Sequence, residues 1–386
     1  MKAILAIDSF KGSCTAYEAG EAVRRGILRA DPSAIVDNVP VADGGEGTVE
    51  AIIGNNDGEW RSCQVMSPLG DMITSGYGVL KNDTAVIEMS LASGLLLIPQ
   101  QRLNPMVTTT YGTGELIKNA LDAGYRKILI GLGGSGTNDG GAGMAQALGV
   151  CFKDIHGKEL AFGGAELIRL HTIDTSRMDP RLKECSIICA VDVKNPLCGE
   201  NGASAVYGPQ KGANPEMIRV LDHALAHYAK VIEEQCGIKV IDMPGAGAAG
   251  GLGAGLFAFC GAVFQPGIEA VLDLVRFDDK LMDADFVITG EGRLDDQTVN
   301  GKVPVGVARR AKAHGNIPVF ALVGSIGTGA EAVYEHGVDG IYAIADGPLT
   351  YSESCGRVKA LLERVAESLT HSVMAIKKSK DRQVAL

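Results

Sequence analysis

Short apolar runs alternate with amphipathic stretches along most of this 386-residue chain. Several runs have the length and composition of β-strands, and they lie at Ala3–Ile7, Ile35–Val41, Val86–Met89, Lys127–Gly131, Ser186–Val191, Phe286–Thr289, Pro318–Val323 and Gly340–Ile344. Stretches with apolar residues three or four positions apart lie between them, at Ala16–Ala30, Tyr111–Ala123 and Met217–Gln235. This alternation predicts an α/β fold with mostly parallel sheets.

Residues 60–98 interrupt the alternation. Three short β-like pieces there are separated by turn signals, which predicts a small meander and the start of a second domain. From about residue 264 the rhythm resembles that of the first 58 residues. We therefore expect a discontinuous Rossmann- or flavodoxin-like α/β domain of residues 1–58 and 264–386, and an inserted α/β domain of residues 59–263 that contains the meander.

The composition excludes several classes of protein. The net charge is −10 and no long Lys/Arg run occurs, so we expect no nucleic-acid partner. Nine cysteines without a CxxC pair, and an N-terminus without a secretion signal, predict free thiols in the cytoplasm. Seven histidines form no HxxH or HExxH pattern, which disfavours a zinc enzyme. Residues 243–268 carry no charge but contain eight glycines, which favours a buried helix over a membrane span.

Four loops combine glycine with acidic residues, and they indicate the chemistry of the chain. They are Asp8–Ser13, Val41–Thr48, Gly131–Gly143 and Gly290–Lys302. Glycine lets backbone N–H groups approach an anion closely, and carboxylates beside such loops can hold a metal or orient hydroxyls. Lys11, Arg293 and Lys302 add positive charge. The mixture suits a site where a phosphate, a cation and a hydroxylated substrate meet.

The Gly131–Gly143 loop is the strongest of these signals. It follows an apolar run, precedes a helix-like stretch, and adds the polar side chains of Ser135, Thr137 and Asn138. Successive N–H groups at such a turn bind phosphate. The alternative is a tight structural turn in which Asp139 caps the following helix.

A dinucleotide-binding enzyme is a second interpretation of the glycines. The pattern G-x-G-x-x-G occurs at Gly131–Gly136 and again at Gly245–Gly250. The pattern alone is weak evidence for a dehydrogenase, and the second copy lies in an uncharged, helix-like segment. A Walker loop is missing, since Gly301-Lys302 is followed by valine. Any ATP site in this chain is therefore of another kind.

Acidic and basic side chains follow several of the expected strands. Asp8 and Lys11 follow the first strand, Asp43 the second, Asp192 a later one, and Arg293 the run that ends at Thr289. The carboxyl edge of a parallel sheet is where ligands bind. A carboxylate at a strand end, such as Asp192, suits a general base. Ordinary turns, caps and surface ion pairs are the alternatives for these residues.

At these residues the sequence resembles the glycerate kinase family, the bacterial type-1 group. The matching segments occur in order from about residue 1 to 325, and they are DSFKGS, PVADGGEGTVEA, TTYGTGELI, GLGGSGTNDGGAGMAQALG, DVKNPLCGENGAS, GPQKGA, PGAGAAGGLGAG and ITGEGRLDDQTVNGKVPVGVA. The resemblance implies ATP- and Mg²⁺-dependent phosphorylation of D-glycerate to 2-phosphoglycerate, in a cleft between two α/β domains. A 3-phosphoglycerate product, a related small hydroxy acid as substrate, and a non-catalytic sensor of a sugar acid are alternatives.

In such an enzyme the polar loops acquire definite roles. We expect Asp192 to be the base and Lys11 and Arg293 to hold the acid carboxylate or the transferring phosphoryl group. The partner is then a small molecule, without nucleic acid or membrane, and a homodimer is compatible with this. The remaining expected residues are Asp8, Ser9, Asp43, Gly44, Gly45 and Glu46 for the substrate, Gly133, Gly134, Ser135, Thr137, Asn138 and Asp139 for the nucleotide, and Asp139, Glu291 and Asp296 for Mg²⁺.

Overall fold

The computed structural model describes residues 1–55, 58–296 and 298–384. These residues form thirteen strands: β1 (Lys2–Ile7), β2 (Ile35–Asn38), β3 (Glu59–Met66), β4 (Met72–Val79), β5 (Thr84–Glu88), β6 (Lys127–Gly131), β7 (Cys151–Lys153), β8 (Thr172–Asp174), β9 (Ser186–Ala190), β10 (Val263–Gln265), β11 (Phe286–Leu294), β12 (Val319–Ile326) and β13 (Gly340–Ala343).

The same residues form twelve α-helices: α1 (Ala16–Ala30), α2 (Thr48–Asn55), α3 (Ser90–Ser93), α4 (Tyr111–Asp122), α5 (Ala142–Ala147), α6 (Ala203–Tyr207), α7 (Pro215–Cys236), α8 (Ala248–Cys260), α9 (Gly267–Leu274), α10 (Phe277–Lys280), α11 (Val303–Gly315) and α12 (Tyr351–Val384). Short 3₁₀ helices lie at Leu95–Leu97, Gln100–Arg102, Gly164–Arg169, Pro180–Glu184, Pro209–Lys211, Thr298–Asn300 and Ala330–His336. The α/β class predicted from the sequence is confirmed.

The first of two compact units comprises Met1–Asp43, Glu50–Asn55 and Ile268–Leu386. Its five strands run parallel in the order β13-β12-β11-β1-β2. Numbered along this unit alone, that is the flavodoxin-like order 2-1-3-4-5. The order reverses between β1 and β11, so the loops after these two strands frame the crevice where such sheets bind ligands.

Helix α1 covers one face of this sheet and shows how the sequence sets its bounds. Thr15 and Glu18 form a reciprocal capping box, in which each side chain accepts a hydrogen bond from the backbone of the other residue. The buried side chains of Val23 and Ile27 join the core of the unit. A Cβ on Gly26 would overlap the carbonyl oxygen of Glu363 in α12. Glycine is therefore needed where α1 and α12 pack closely.

The second unit comprises Gly44–Val49 and Asn56–Gly267. Its largest sheet has the order β10-β9-β6-β5-β4-β3. The first four of these strands are parallel, whereas β4 pairs antiparallel with both β5 and β3. The meander predicted near residues 60–98 is therefore confirmed. The assignment of Gly44–Val49 to this unit was not expected from the sequence. The domain bounds, residues 1–58 with 264–386 for one domain and 59–263 for the other, stay a prediction.

The uncharged segment forms α8, a buried helix of the second unit, as predicted. Ala249, Gly250 and Gly251 at its start have left-handed backbone conformations, and regular helix follows from Leu252. The non-polar side chains of Leu252 and Leu256 are completely buried in the core. Among the residues that the structure describes, no helix is both long and apolar enough to cross a membrane.

Strand β11 is longer than predicted. The sequence suggested that it ends at Thr289 and that a loop begins at Gly290, but pairing with β12 continues as far as Leu294. Burial of the Glu291 side chain accompanies this extension. Two of the charged residues predicted in a loop, Glu291 and Arg293, therefore lie on a strand and on the same face of the sheet, whereas Asp295, Asp296 and Lys302 lie beyond its end.

Candidate active site

Polar residues of the second unit gather at one edge of its six-stranded sheet. Four parallel strands end side by side there, because Glu88, Gly131, Ala190 and Gln265 are paired in register. Asp192 follows β9 by two residues. Since ligands of parallel sheets bind beyond the carboxyl ends of the strands, this edge is the candidate site of the second unit.

Glu88 was missed by the sequence reasoning, and it fixes the segment Gly44–Val49 to this edge. Its buried carboxylate accepts hydrogen bonds from the N–H of Val49 at 2.6 Å and of Gly47 at 3.3 Å. Bonds from backbone N–H groups to a carboxylate are among the stronger ones in proteins. A signal was present in the sequence, because Glu88 is an acid that directly closes an apolar run.

Two glycine-bearing loops touch each other at the same edge. A Cβ on Gly131 would overlap the carbonyl oxygen of Gly44, and a Cβ on Gly133 would lie 2.7 Å from the Cα of Gly45. Close backbone approach therefore explains these glycines. The structure brings the predicted substrate residues Gly44 and Gly45 next to the predicted nucleotide loop, while the neighbouring Glu46 is exposed.

The predicted nucleotide loop has an accessible tip and a buried base. Gly133 is half-buried and Gly134 is exposed, with a φ of 74° that favours glycine. Ser135, Thr137 and Asn138 are buried behind the tip. The tip is therefore the most exposed part of this glycine turn, and the three buried residues follow it in sequence.

Asp139 holds the loop together. Its carboxylate, 1% exposed, accepts the N–H of Thr110 at 2.8 Å, the N–H of Gly141 at 3.1 Å and the N–H of Gly143 at 3.2 Å. The Thr110 hydroxyl also donates to it. Burial raises the pKa of Asp139, and these hydrogen bonds oppose that shift. The contacts match the capping alternative and favour a positioning role over metal binding.

Lys211 is buried at the base of the same loop. Its Nζ donates to the Ser135 hydroxyl at 2.8 Å and to the Thr137 carbonyl at 2.7 Å, and the residue is 1% exposed. Burial lowers the pKa of Lys211 to about 7, while the charge of Asp139 opposes the shift. On sequence alone the turn Gly208–Gly212 suits either a lysine that reaches a phosphate or a solvated lysine, and the burial of Lys211 excludes the second interpretation.

Asp192 is oriented by the backbone of a neighbouring strand end. Its Oδ1 accepts the N–H of Gly267 at 2.7 Å, and the side chain is half-buried. Gly267 follows β10, which lies beside β9. The predicted base thus has a fixed carboxylate at the candidate edge of the second unit.

Three carboxylates gather at the strand-order reversal of the first unit. Asp8 follows β1 and Glu291 lies in the adjacent β11, where both are buried. Burial, reinforced by the charge of Asp43, raises the pKa of Asp8 from 3.8 to about 8. Burial likewise raises the pKa of Glu291 to about 7. The Ser9 N–H donates to Asp8 Oδ1 at 2.6 Å. The predicted Asp8, Ser9 and Asp43 group is thus brought together with Glu291.

The basic residues predicted for this region differ in their burial and in their partners. Lys302 Nζ lies 4.0 Å from Glu291 Oε2, and the Thr298 hydroxyl donates to Glu291 Oε1 at 2.8 Å. Lys11 is exposed, and its charge lowers the pKa of the nearby Asp8. Arg293 is also exposed and pairs with Asp295 at 3.2 Å. Asp296 is exposed, and its role in metal binding stays a prediction.

The acidic group of the first unit should make stability depend on pH. Between about pH 4 and pH 8 the folded state retains a proton on Asp8 that the unfolded chain has released, so rising pH favours unfolding. We expect the unfolding free energy to fall by roughly 2 kcal/mol or more from pH 5 to pH 8 in metal-free buffer. Urea unfolding at several pH values measures this. The dependence of the unfolding free energy on pH should be weaker in Asp8→Asn and should persist in the control Asp296→Asn. An unchanged dependence in Asp8→Asn would contradict the assignment of the raised pKa to Asp8.

The donor groups can be compared with the needs of Mg²⁺. Within the described ranges, no group of three or more His, Cys, Asp and Glu side chains is arranged as a metal site. Mg²⁺ beside a nucleotide needs only one or two protein carboxylates, because phosphate and water supply the other ligands. Glu291 suits this role, since its charge is repelled by Asp43 and a cation would relieve the repulsion. Asp139 suits it less, because its carboxylate already accepts several hydrogen bonds.

The chain is similar to known proteins over nearly its whole length. It matches the model of the Glycerate kinase family over residues 3–374. It is 50% identical over 368 residues to a glycerate kinase from Halalkalibacterium halodurans, covering 95% of this chain and 96% of the relative. It is 49% identical over 345 residues to the glycerate 2-kinase of Escherichia coli K12, covering 89% and 91% of the two chains.

A solved structure agrees with these relatives. A candidate glycerate kinase 2 from Salmonella typhimurium LT2 superposes with a TM-score of 0.89 at 45% identity, covering 98% of this chain and 99% of the other. The dehydrogenase interpretation has no such support, and Gly245–Gly250 runs from a turn into α8, whereas a dinucleotide fingerprint directly follows a strand. The chain therefore belongs to the glycerate kinase family, and it is a phosphotransferase.

Proposed function

We propose that this enzyme transfers the γ-phosphoryl group of ATP to the 2-hydroxyl of D-glycerate and releases ADP and 2-phosphoglycerate. The observation that carries the proposal is 49% identity over 345 residues to a protein named glycerate 2-kinase. A bond forms between the hydroxyl oxygen and the γ-phosphorus, and the bond from that phosphorus to the β–γ bridging oxygen breaks. The hydroxyl proton passes to a protein base. Such a transfer depends mostly on positioning and charge stabilisation.

We assign the nucleotide phosphates to the loop tip at Gly133 and Gly134. These two glycines are half-buried and exposed, respectively, and backbone N–H groups in glycine-rich turns bind phosphate oxygens without a steric barrier. Ser135, Thr137 and Asn138 keep their predicted place at this site as buried support. Asp139 fixes the loop through its hydrogen bonds to backbone N–H groups.

We assign the acid substrate to Asp8, Ser9, Asp43 and Lys11. Because the pKa of Asp8 is raised to about 8, this carboxyl is largely protonated at pH 7 and can donate a hydrogen bond to a substrate oxygen. The exposed ammonium of Lys11 suits the carboxylate of the acid. Arg293 could hold the same group bidentately once it leaves Asp295. Gly44, Gly45 and Glu46 stay proposed substrate contacts.

We assign the hydroxyl proton to Asp192. A base must hold an acceptor oxygen in a fixed direction, and the 2.7 Å bond from Gly267 N–H orients this carboxylate. Its position at a strand end, beside the loops that carry glycine, supports the assignment.

We assign Mg²⁺ chiefly to Glu291. When bound, the ion would neutralise charge on the phosphate oxygens. The Glu291 side chain would also be held by the Thr298 hydroxyl. The unfolding measurement repeated with ADP, with and without millimolar Mg²⁺, tests this, because phosphate oxygens supply the other ligands and the ion should add stability to the wild type and to the exposed-site control Glu335→Gln but not to Glu291→Gln. Equal stabilisation of all three proteins would refute the assignment.

A coupled assay of ADP release tests the proposed reaction. The purified enzyme is supplied with ATP, Mg²⁺ and D-glycerate, the product is resolved by phosphorus NMR, and a reaction without acid measures background hydrolysis. We expect turnover and a phosphate on the 2-hydroxyl. A phosphate on the 3-hydroxyl would support the glycerate kinase activity but replace 2-phosphoglycerate by 3-phosphoglycerate as the product. Turnover only with another small hydroxy acid would replace glycerate as the substrate. The predicted cytoplasmic location and a homodimer are separate proposals, which fractionation and light scattering can test.

A further inference from the structure

Lys211 is an unusual buried lysine because both acceptors that contact its Nζ are uncharged. Its Nζ contacts a hydroxyl and a backbone carbonyl, and the described residues contain no carboxylate in ion-pair contact with it. A lysine ammonium has three N–H donors, of which these contacts use two. Burying a lysine head against neutral acceptors carries a desolvation cost without an ion pair in contact, so a packing role alone would be served better by an apolar side chain.

The turn that carries Lys211 is attached to the loop at a second point. The Asn138 amide donates to the Ser204 hydroxyl at 2.9 Å in α6, and α6 leads directly into the 3₁₀ helix Pro209–Lys211. Gly212 then turns the chain with a φ of 94° and approaches the Leu103 carbonyl. The head of Lys211 is therefore held at a fixed place behind the loop.

The loop segment itself contains polar atoms that its own fold does not satisfy. Thr137 Oγ1 and Asn138 Oδ1 are buried and have no hydrogen-bond partner among the described residues. Unsatisfied buried polar atoms are rare and usually mark a functional constraint. The unpaired atoms belong to Thr137, whose carbonyl accepts a hydrogen bond from Lys211, and to the next residue, Asn138.

We propose that Lys211 is a positioning residue for nucleotide binding, which holds Ser135 and Thr137 from the buried side and thereby sets the direction of the Gly133 and Gly134 N–H groups. This inference rests on the proposed assignment of ATP phosphates to that tip. The lysine acts through the loop, and its charge lies behind the N–H groups that face the phosphates. Nucleotide affinity should therefore depend on Lys211 more strongly than acid affinity does.

Calorimetric titration with ADP tests the inference in Lys211→Met, Ser135→Ala and the double variant. Methionine keeps the length of the side chain but cannot donate. We expect Lys211→Met to weaken ADP binding about 10-fold or more, because hydrogen bonds from a charged donor are lost. Ser135→Ala should weaken it less. The double variant should resemble Lys211→Met, because the Ser135 hydroxyl acts only as the acceptor of that lysine.

Controls separate this inference from a general loss of structure and from failure of the proposed function. Lys239→Met removes an exposed lysine of the same unit and should bind ADP like the wild type. The KM for D-glycerate should change less than about 3-fold in Lys211→Met, whereas a merely structural role would weaken both ligands together. Unchanged ADP affinity in Lys211→Met, or additive effects in the double variant, would overturn the inference. If Lys211→Met does not fold, full ADP affinity in Ser135→Ala would overturn it. Absence of ADP binding to the wild type would instead overturn the nucleotide assignment.

Discussion

Asp192→Asn should lower kcat by about 10²- to 10⁴-fold, the range typical for loss of a general base. The asparagine side chain has almost the same shape, and its carbonyl oxygen can still accept the 2.7 Å hydrogen bond from Gly267 N–H. What the amide cannot do is take the proton of the attacking hydroxyl. The KM values for ATP and D-glycerate should therefore stay within a few-fold of the wild type. Steady-state kinetics on the folded variant measure both quantities.

Lys11→Met is the comparison for this experiment. Lys11 is exposed and assigned to the substrate carboxylate, so its loss should chiefly raise the KM for D-glycerate. The two variants are thus expected to differ in kind, one in kcat and the other in KM. Near-normal kcat in Asp192→Asn would show that another group, or none, accepts the proton.

Gly250→Ala should have the largest effect on stability. Gly250 has a φ of 69°, and a Cβ there would overlap the Thr137 carbonyl oxygen and lie 2.8 Å from the Cα of Asn138. Left-handed strain and backbone overlap together should lower the unfolding free energy by about 2–5 kcal/mol. The same carbonyl oxygen accepts a hydrogen bond from Lys211 Nζ. Any Gly250→Ala protein that folds should therefore bind nucleotide more weakly than the wild type.

Gly261→Ala is the matched control in the same helix. Gly261 ends α8 with a φ of 63°, but no atom lies within 4 Å of a Cβ built there. Only conformational strain remains, and we expect a loss of about 1 kcal/mol. Urea unfolding measures the loss of unfolding free energy in both variants. The difference between the two losses is the contribution of the overlap with the Thr137 carbonyl oxygen. Equal losses would mean that α8 can move away from the loop.

The sequence predicted local features of this chain well. Helix α1 has the expected bounds because its capping residues adjoin it, and the strands before the glycine loops were found because each is a short apolar run. The loop at Gly131–Gly143 was recognised because many glycines and polar residues crowd into few positions. Each of these signals lies in a short stretch of neighbouring residues, so no knowledge of distant contacts was needed.

Features that depend on distant contacts were not predicted. The sequence alone suits Lys211 to a phosphate contact or to the solvated surface, and only the fold brings it to Ser135, 76 residues away in sequence. Glu88 acquires its role only from the backbone of Val49, and β11 extends beyond Thr289 only because β12 pairs with it. The burial that raises the pKa of Asp8 arises in the same way. Composition and periodicity carry no information about such pairings.

The path of the chain through Gly44–Val49 limits how this protein can be divided. A fragment of residues 56–267 would retain every strand of the six-stranded sheet, yet it would lose the two amide donors that Val49 and Gly47 supply to Glu88. The Glu88 carboxylate would then lie at the sheet edge without the hydrogen bonds from these two backbone N–H groups. Gene fusions, circular permutants and split versions of this enzyme should therefore keep Gly44–Val49 covalently joined to the second unit, although most of the neighbouring sequence belongs to the first.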